Sequence, residues 1–261
     1  MAEKPTNQVP VAHAPERSAD EQRTLNAQRR IQERGIRRVV IAGLLLAITL
    51  LLAFTPIGFI PVPTPAGSAT IAHIPTIIGG ILEGPLVAVI LALGFGFGSF
   101  FSPLVPIKDP LVIVLPRLLI GIAAWGVFAA LRRASKRTLA LMLGLLLILL
   151  LFSSYEVSKK WFWLGIVVGV VSSGAVALLY LWMRREDVHI VSLAAAGVVG
   201  SFANTIPVLS AAVLRGYVTP SAALGIGLAQ GIPEAIVSGI VVVAVVAALR
   251  QIGQRRRGSR L

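Results

Sequence analysis

The chain has 261 residues, of which 56% are hydrophobic and only 13% are charged, about half the charged share of an ordinary soluble domain. This composition excludes a water-soluble globular protein, because a chain of this length cannot hide so much apolar surface from water, and we expect lipid to be the solvent for most of it. Without cysteine, disulfides and thiolate metal sites are also excluded.

The N-terminal region is polar up to about residue 28 and has no apolar period. Such a composition is typical of disorder, and the stretch lacks the basic start and apolar centre of a cleavable signal peptide. Together with the basic run RRIQERGIRR that follows, it leads us to assign residues 1–36 to a disordered, basic cytoplasmic tail.

Eight apolar segments follow this tail, and each is a candidate membrane helix. The first contains VVIAGLLLAITLLLAF and stops at Pro56, and the prolines and glycine of the next loop, FIPVPTPAGSA, favour turns. The third is LVAVILALGFGFGSFF, and Asp109 with Pro110 is predicted to cap and open the fourth. The remaining predicted segments are 69–82 (the second), 111–131 (the fourth), 139–152 (barely long enough to cross), 161–183, 190–214 and 222–249.

Basic residues predict the orientation of these segments. With eight spans, all four basic clusters fall on one side, and they hold 16 of the 24 lysines and arginines counted in the sequence. The positive-inside rule then puts both termini in the cytoplasm of a multi-pass plasma-membrane protein, with residues 250–261 as a second basic tail. The net charge of +13 is therefore interpreted as a topology signal and not as a nucleic-acid footprint. The clusters are Arg29 to Arg38, Arg132 to Arg137, Arg184-Arg185 and Arg250 to Arg260.

Polar residues near the predicted outer ends of the segments are the candidates for chemistry. On the second segment, Thr70, His73 and Thr76 or Ile77 share one face at helical spacing. Arg117 lies about two turns into the fourth segment, where it opposes the helix dipole and needs an anion or an exit to water. Such groups are costly in a membrane and usually face a cavity or one another. The later segments add Asn204, Thr205, Gln230 and Glu234.

Each candidate also has a purely structural interpretation. His73 can hydrogen-bond a neighbouring helix, Arg117 can snorkel to the outer headgroups, and Asn204 with Thr205 can join two helices. Glu234 is favoured in a first helical turn if the last helix restarts at Ile232. Their convergence on the same outer half of the membrane favours instead a site for a small polar ligand that carries an acid and donor groups.

Enzyme motifs are missing from the sequence. There is no phosphate-binding loop and no His, Asp or Glu spacing typical of a metal site, so we predict no cofactor, no metal and no catalytic residue. The glycine-rich GFGFGS lies in an apolar segment and indicates helix packing. A set of His73, Ser99 and Asp109 lacks the elbow of a serine hydrolase.

Several stretches together resemble the substrate-binding S component of an energy-coupling factor (ECF) vitamin transporter. They are FTPIGFIPVPTPAGSATIAHIPTIIGGILEGPLVAVILALGFGFGSFF, PRLLIG, GSFANTIPVL and GIPEAIVSGIV, within residues 37–131 and 190–249. The resemblance implies an all-α, six-helix membrane protein whose vitamin pocket lies near the outer face, with the loop after helix 1, which includes Phe59, as a lid. It also implies a transmembrane T component and two ATPase subunits as partners, and release of the vitamin inside by toppling of the S component.

Within that family, TIAHIPTIIGG is most similar to pantothenate-type members. The resemblance implies that Arg117, His73, Asn204 and Glu234 match the carboxylate, hydroxyl and amide groups of pantothenate. Gly43 and Ala47 are candidates for the small-residue contact with the T component. Helices 1–4 of the core would then be residues 37–131 and helices 5 and 6 residues 190–249, while residues 132–189 depart from the pattern as an inserted apolar hairpin.

The sequence therefore favours the binding subunit of an ATP-driven vitamin importer that has no ATPase activity of its own. One alternative is a stand-alone ion-coupled secondary transporter, which needs internal repeats and a charged relay at the midplane. Glu234 is its sole candidate relay residue, and no convincing repeat is visible. A second alternative, a structural membrane protein without a ligand, leaves the convergent polar residues unexplained.

Overall fold

The computed structural model describes residues 19–61, 68–159 and 162–258, and most of them are helical. In this part of the chain, five helices are long and apolar enough to cross a membrane. The predicted all-α membrane class is confirmed, whereas the number of segments that cross and the side on which the termini lie stay predictions. The five candidate spans are Asp20–Phe54, Pro110–Leu131, Ile166–Arg185, Val188–Leu214 and Pro220–Leu249, of which the second and the last each contain two of the helices given below.

Ten helices and two short strands make up the described chain. A 3₁₀ turn at Pro56–Gly58 precedes the strands β1 (Phe59–Pro61) and β2 (Ser68–Thr70), and a π-helical turn at Gly227–Gly231 joins α9 to α10. The helices are α1 (Ala19–Phe54), α2 (Ile74–Glu83), α3 (Pro85–Phe101), α4 (Pro110–Ile113), α5 (Leu118–Leu131), α6 (Lys136–Ser158), α7 (Phe162–Arg185), α8 (Val188–Leu214), α9 (Pro220–Ile226) and α10 (Ile232–Gly258).

Helix α1 begins at Ala19, so the predicted disorder is wrong for residues 19–36. This stretch is rich in Ala, Gln, Glu, Arg and Leu, which favour helix, and composition-based disorder overlooks that propensity. Residues 1–18 of the predicted tail lie outside the described residues. The chain divides into two compact units, Met1–Val40 and Ile41–Leu261, and the features discussed below belong to the second.

The second predicted segment is a helix only in part. Residues 68–70 form β2, which pairs antiparallel with β1 so that Phe59 lies opposite Thr70. The helix α2 begins at Ile74, with Pro75 in its first turn. Thr70 therefore does not share a helical face with His73, because pairing with β1 keeps its backbone extended.

The fourth predicted segment is broken into α4 and α5. Asp109 caps α4 as predicted, since its Oδ1 accepts a hydrogen bond of 2.9 Å from the Leu111 amide. Helix α5 starts only at Leu118, which leaves Arg117 at its N-cap and not two turns inside a helix. Pro116 explains the break, because proline has no amide hydrogen and disfavours the helical conformation of the residue before it.

Helix α2 lies at the centre of the core, with eight buried residues from Ile74 to Ile81. It packs against α3, α5, α8 and α10, whereas α6 and α7 pack mainly against each other. Glycines permit the closest helix contacts. A Cβ on Gly80 would lie 2.6 Å from the Gly121 carbonyl oxygen, and one on Gly197 would lie 2.8 Å from Gly239 Cα.

Candidate functional site

Polar side chains gather where α2, α5, α8 and α10 meet. Burial of such groups inside a membrane protein is costly, and they usually mark a binding site or a path. We call this group the polar cluster. Its members are buried or half-buried and comprise Thr70, His73, Thr76, Arg117, Ser201, Asn204, Thr205, Glu234 and Ser238.

Glu234 joins three parts of the fold. Helix α10 begins at Ile232, as the first-turn interpretation of Glu234 required. The Glu234 Oε1 atom accepts a hydrogen bond of 2.5 Å from the Thr70 amide, and Oε2 lies 3.3 Å from Thr205 Oγ1. One carboxylate thus ties the β1–β2 hairpin to α8 and α10, which gives Glu234 a second role beyond favouring the helix N-terminus.

His73 lies at the N-cap of α2 and is fully buried. Its Nε2 atom is 2.9 Å from Ser238 Oγ on α10, which bears out the interpretation as a contact with a neighbouring helix. The other ring nitrogen, Nδ1, has no hydrogen-bond partner among the described residues. The imidazole is therefore fixed to α10 through one of its two ring nitrogens.

Arg117 lies in the interior and not at the lipid surface. Its guanidinium carbon is 4.1 Å from the centre of the Phe95 ring, and Nη1 donates a hydrogen bond of 3.3 Å to the Phe95 carbonyl. Only 6% of the surface of Arg117 is exposed, so the snorkelling interpretation is wrong. The Nε atom has no partner among the described residues, and the cation interacts electrostatically with His73 and Glu234.

Three further unpartnered atoms belong to the same junction of helices. They are Thr76 Oγ1 on α2, and Ser201 Oγ and Asn204 Oδ1 on α8. Gly200 places α8 against α2 and α5, since a Cβ there would lie 2.7 Å from Ile77 and 3.2 Å from Ala124. With His73 Nδ1 and Arg117 Nε, five buried polar atoms of the described cluster lack a partner.

The remaining predicted residues lie at the edge of the cluster or away from it. Phe59 is half-buried on β1, opposite Thr70, and Gln230 is buried in the π-helical turn that contacts β2. Gly43 and Ala47 lie one turn apart on an exposed face of α1, where a Cβ on Gly43 would meet nothing within 4 Å. This small-residue face is open to a partner.

The sequence analysis missed Ser201, Ser238 and Phe95. The spacing in the sequence could have identified two of them. Ser238 follows Glu234 by four residues and Ser201 precedes Thr205 by four, which puts each pair on one helical face. Phe95 carries no such signal, since one aromatic residue in an apolar helix cannot be told from ordinary core.

A separate ion pair lies outside the polar cluster and joins α4 to the end of α8. Arg215 Nε donates a hydrogen bond of 2.7 Å to Asp109 Oδ2, and the Tyr217 hydroxyl lies 3.3 Å from the same oxygen. The hydrogen bond from Arg215 lowers the pKa of Asp109 below its ordinary value. These partners occupy Asp109, which does not join His73 and Ser99 in a hydrolase site.

The described residues contain no group of three or more His, Cys, Asp or Glu side chains that could hold a metal ion. The site offers hydrogen-bond donors and acceptors on α2, α5, α8 and α10, together with the guanidinium of Arg117. The arrangement can bind a small polar molecule.

Comparison with protein families gives a match to part of the chain. Residues 37–155 match the family model described as ECF transporter, substrate-specific component. The matched region runs from α1 through α5 into α6, the first helix of the predicted insertion, and does not reach α8 or α10. No curated protein matches the chain.

Proposed function

We propose that the chain is the substrate-specific, membrane-embedded binding subunit of an ECF transporter. The family match over residues 37–155 supports this proposal, and so does the buried polar cluster. The subunit binds a small water-soluble solute from outside the cell, while separate partner subunits hydrolyse ATP. No catalytic step is assigned to this chain.

The observation that carries the proposal is the buried Arg117 guanidinium, whose Nε lies among other polar atoms without partners. Each buried donor or acceptor left unsatisfied costs about 1–3 kcal/mol, and a ligand that completes these hydrogen bonds recovers part of that cost. Arg117 needs an acceptor, best supplied by an anion, and Asn204 Oδ1 needs a donor. The complementary solute therefore carries a carboxylate or similar anion together with hydroxyl or amide donors.

Pantothenate is the water-soluble vitamin that fits this chemistry best. Its carboxylate pairs with Arg117, in the bidentate geometry that a guanidinium favours. Its hydroxyls and amide find complementary groups in His73, Asn204 and Glu234. Thr205, already within hydrogen-bond distance of Glu234, orients that carboxylate toward the ligand.

The β1–β2 hairpin serves as the lid of the site. Its Thr70 amide is held by Glu234, and the Ile71 amide donates a hydrogen bond of 3.0 Å to the Gly58 carbonyl. Opening the hairpin breaks the Thr70–Glu234 contact and exposes the carboxylate to solute. Reclosing over a ligand restores the contact and excludes water, which strengthens the charge interaction with Arg117.

The transport partners are a transmembrane T component and two ATPase subunits, in a plasma membrane with both termini of this chain in the cytoplasm. The open face at Gly43 and Ala47 is the proposed contact with the T component, because small residues let helix backbones approach closely. Uptake of radiolabelled pantothenate should require co-expression of these subunits in a host that lacks them.

Calorimetry with a panel of water-soluble vitamins tests the binding step directly. The purified chain should bind one panel member tightly without any partner, since all the proposed ligand contacts lie within it. Absence of binding to every member would overturn the proposal. Binding to a member other than pantothenate would support the assignment as an ECF binding subunit and would change only the identity of the solute.

The burial of Glu234 favours one second candidate, an ion-coupled secondary transporter that works alone. The two functions separate in an uptake experiment on vesicles that contain only this chain. Accumulation driven by a proton or sodium gradient without ATPase subunits would support the second candidate, and its absence supports the ECF assignment.

A further inference from the structure

A large cavity lies between the α6–α7 hairpin and helices α5 and α8. Its volume is about 500 Å³, and its lining is entirely of apolar residues. Leu139 and Met183 are buried within it, whereas Met142, Leu146 and Trp182 are exposed at its margin. We call this cavity the hairpin cleft.

The hairpin cleft runs from one end of these four helices to about the middle of α6 and α8. It is lined by Leu131 at the end of α5, Leu139 in the first turn of α6, Met183 near the end of α7 and Val191 in the first turn of α8. The loops from α5 to α6 and from α7 to α8 therefore meet at the same end of the cleft. This end carries two of the basic clusters that predict the cytoplasmic side.

Basic side chains dominate this end. Six exposed lysines and arginines lie in the two loops and the adjoining turns, against two acidic residues, Glu186 and Asp187. Lys136 Nζ donates a hydrogen bond of 3.2 Å to the Arg184 carbonyl, which links the two loops. We call the six the basic rim, and they are Arg132, Arg133, Lys136, Arg137, Arg184 and Arg185.

We propose that the hairpin cleft and its basic rim bind one anionic phospholipid. An acyl chain fills the cleft, and the phosphate lies among the rim residues. Trp182 borders the cleft one turn from the rim, where the amphipathic indole is favoured at the level of the headgroups. The proposal is independent of the solute bound by the polar cluster.

The positive charge of the rim favours an anionic lipid over a zwitterionic lipid or a second copy of the chain, which an apolar cleft could also accommodate. A zwitterionic lipid fills the cavity equally well but gains less from the rim, whereas anionic lipids are enriched in the cytoplasmic leaflet. A second copy of the chain would bring the same basic loops against the rim, and like charges repel. The bound lipid completes the contact between the hairpin and the core, which otherwise leaves a void.

Native mass spectrometry of delipidated protein, titrated with dioleoylphosphatidylglycerol or dioleoylphosphatidylcholine, tests the proposal. We expect one phosphatidylglycerol to bind more tightly than phosphatidylcholine. The double substitution Arg133→Gln with Arg137→Gln should weaken phosphatidylglycerol binding by about fivefold per charge removed and leave phosphatidylcholine unchanged. Its charge-matched control is Lys108→Gln in the loop before α4 with Lys159→Gln just after α6, neither of which lines the cleft, and it should leave both affinities unchanged.

A second pair of variants tests the apolar part of the site. Ala195 lines the cleft, so Ala195→Phe should fill it and weaken the binding of both lipids at least tenfold. Ala177→Phe places the same ring on an exposed face of α7 and should have no effect. Equal affinity for the two lipids, wild-type binding by the Arg133 and Arg137 double variant, or a lipid-free dimer would each overturn the proposal.

Discussion

Two helical regions of nearly equal hydropathy have different roles in this molecule. The windows in Pro110–Leu131 and Ile166–Arg185 have mean hydropathies of 2.2 and 2.1, but half of the first window is buried inside the protein and only 11% of the second. The first carries Arg117 and packs at the centre of the core, while the second belongs to the α6–α7 hairpin. Hydropathy therefore reports that lipid is the solvent, and it does not report which helix carries the site.

The physical origin of the difference lies in small residues and polar partners. Gly121 lets α5 approach α3 so closely that a Cβ there would lie 2.5 Å from Ala88 Cβ. In the hairpin, Gly144 and Gly174 face open space, whereas Gly169 lies close to Ser154 on α6, where a Cβ would be 2.8 Å from the Ser154 hydroxyl oxygen. In the core, close approach of several helices brings buried polar groups, including the cation Arg117, into one cluster.

The largest expected effect concerns Arg117. If it pairs with a ligand carboxylate, Arg117→Ala should cost about 2–4 kcal/mol of binding, as when one side of a buried charge pair is removed. That loss is roughly 30- to 1,000-fold in affinity, measured by calorimetry with the vitamin found in the panel. Arg117→Lys should recover only part, because an ammonium cannot reproduce the planar fork of the guanidinium.

The matched control for Arg117 is Arg185→Ala in the hairpin, an exposed arginine that should leave affinity unchanged. Equal affinity of the wild type and both Arg117 variants would remove Arg117 from the site. It would also mean that the buried core segment does not differ from the hairpin in carrying the ligand-binding arginine.

Glycine substitutions test the difference in helix packing between the core and the hairpin through its effect on protein stability. Gly121→Ala should destabilise the protein by about 1–3 kcal/mol, since the added methyl group overpacks the contact of α5 with α3. Gly144→Ala on α6 meets no neighbour and should be neutral or stabilising by up to about 1 kcal/mol, the helix propensity difference. Thermal unfolding in detergent measures both, and a similar loss in the two variants would contradict the packing difference.

Serine substitutions should have a smaller effect. Ser238→Ala removes the partner of His73 Nε2 and should destabilise by about 1 kcal/mol, the usual contribution of a hydrogen bond. Ser173→Ala in the hairpin removes only a bond of 2.7 Å to the Gly169 carbonyl in its own helix. Its effect should be within about 0.5 kcal/mol, and thermal unfolding compares the two.

The smallest effect should come from the pair of Asp109 and Arg215. The pKa of the Asp109 carboxyl is lowered in the folded protein, mainly by the hydrogen bond from Arg215, so the folded state favours the ionised form. Its contribution to stability is present above the ordinary pKa of 3.8 and is lost as the pH falls through the lower folded value. The melting temperature of the Asp109→Asn variant should therefore fall less on acidification than that of the wild type. An equal fall in the two proteins would mean that the Asp109–Arg215 pair adds no stability.

Local chemistry made several features predictable. Asp109 and Pro110 predict the start of α4, and Glu234 predicts the start of α10, because capping and first-turn residues act on the few residues next to them in the chain. The membrane class follows from composition alone. Most of the predicted site residues also come together, since polar groups inside apolar segments need partners.

The tertiary structure decided the rest. The Thr70 amide is held by a carboxylate 164 residues away, and His73 by a hydroxyl 165 residues away. No local pattern encodes such contacts, so the sequence predicted a helix where β2 pairs with β1, and a continuous span where α4 and α5 are separate. Composition and local propensity determine which segments are helical and apolar, whereas hydrogen bonds between distant residues decide where α2 begins and which polar atoms face the site.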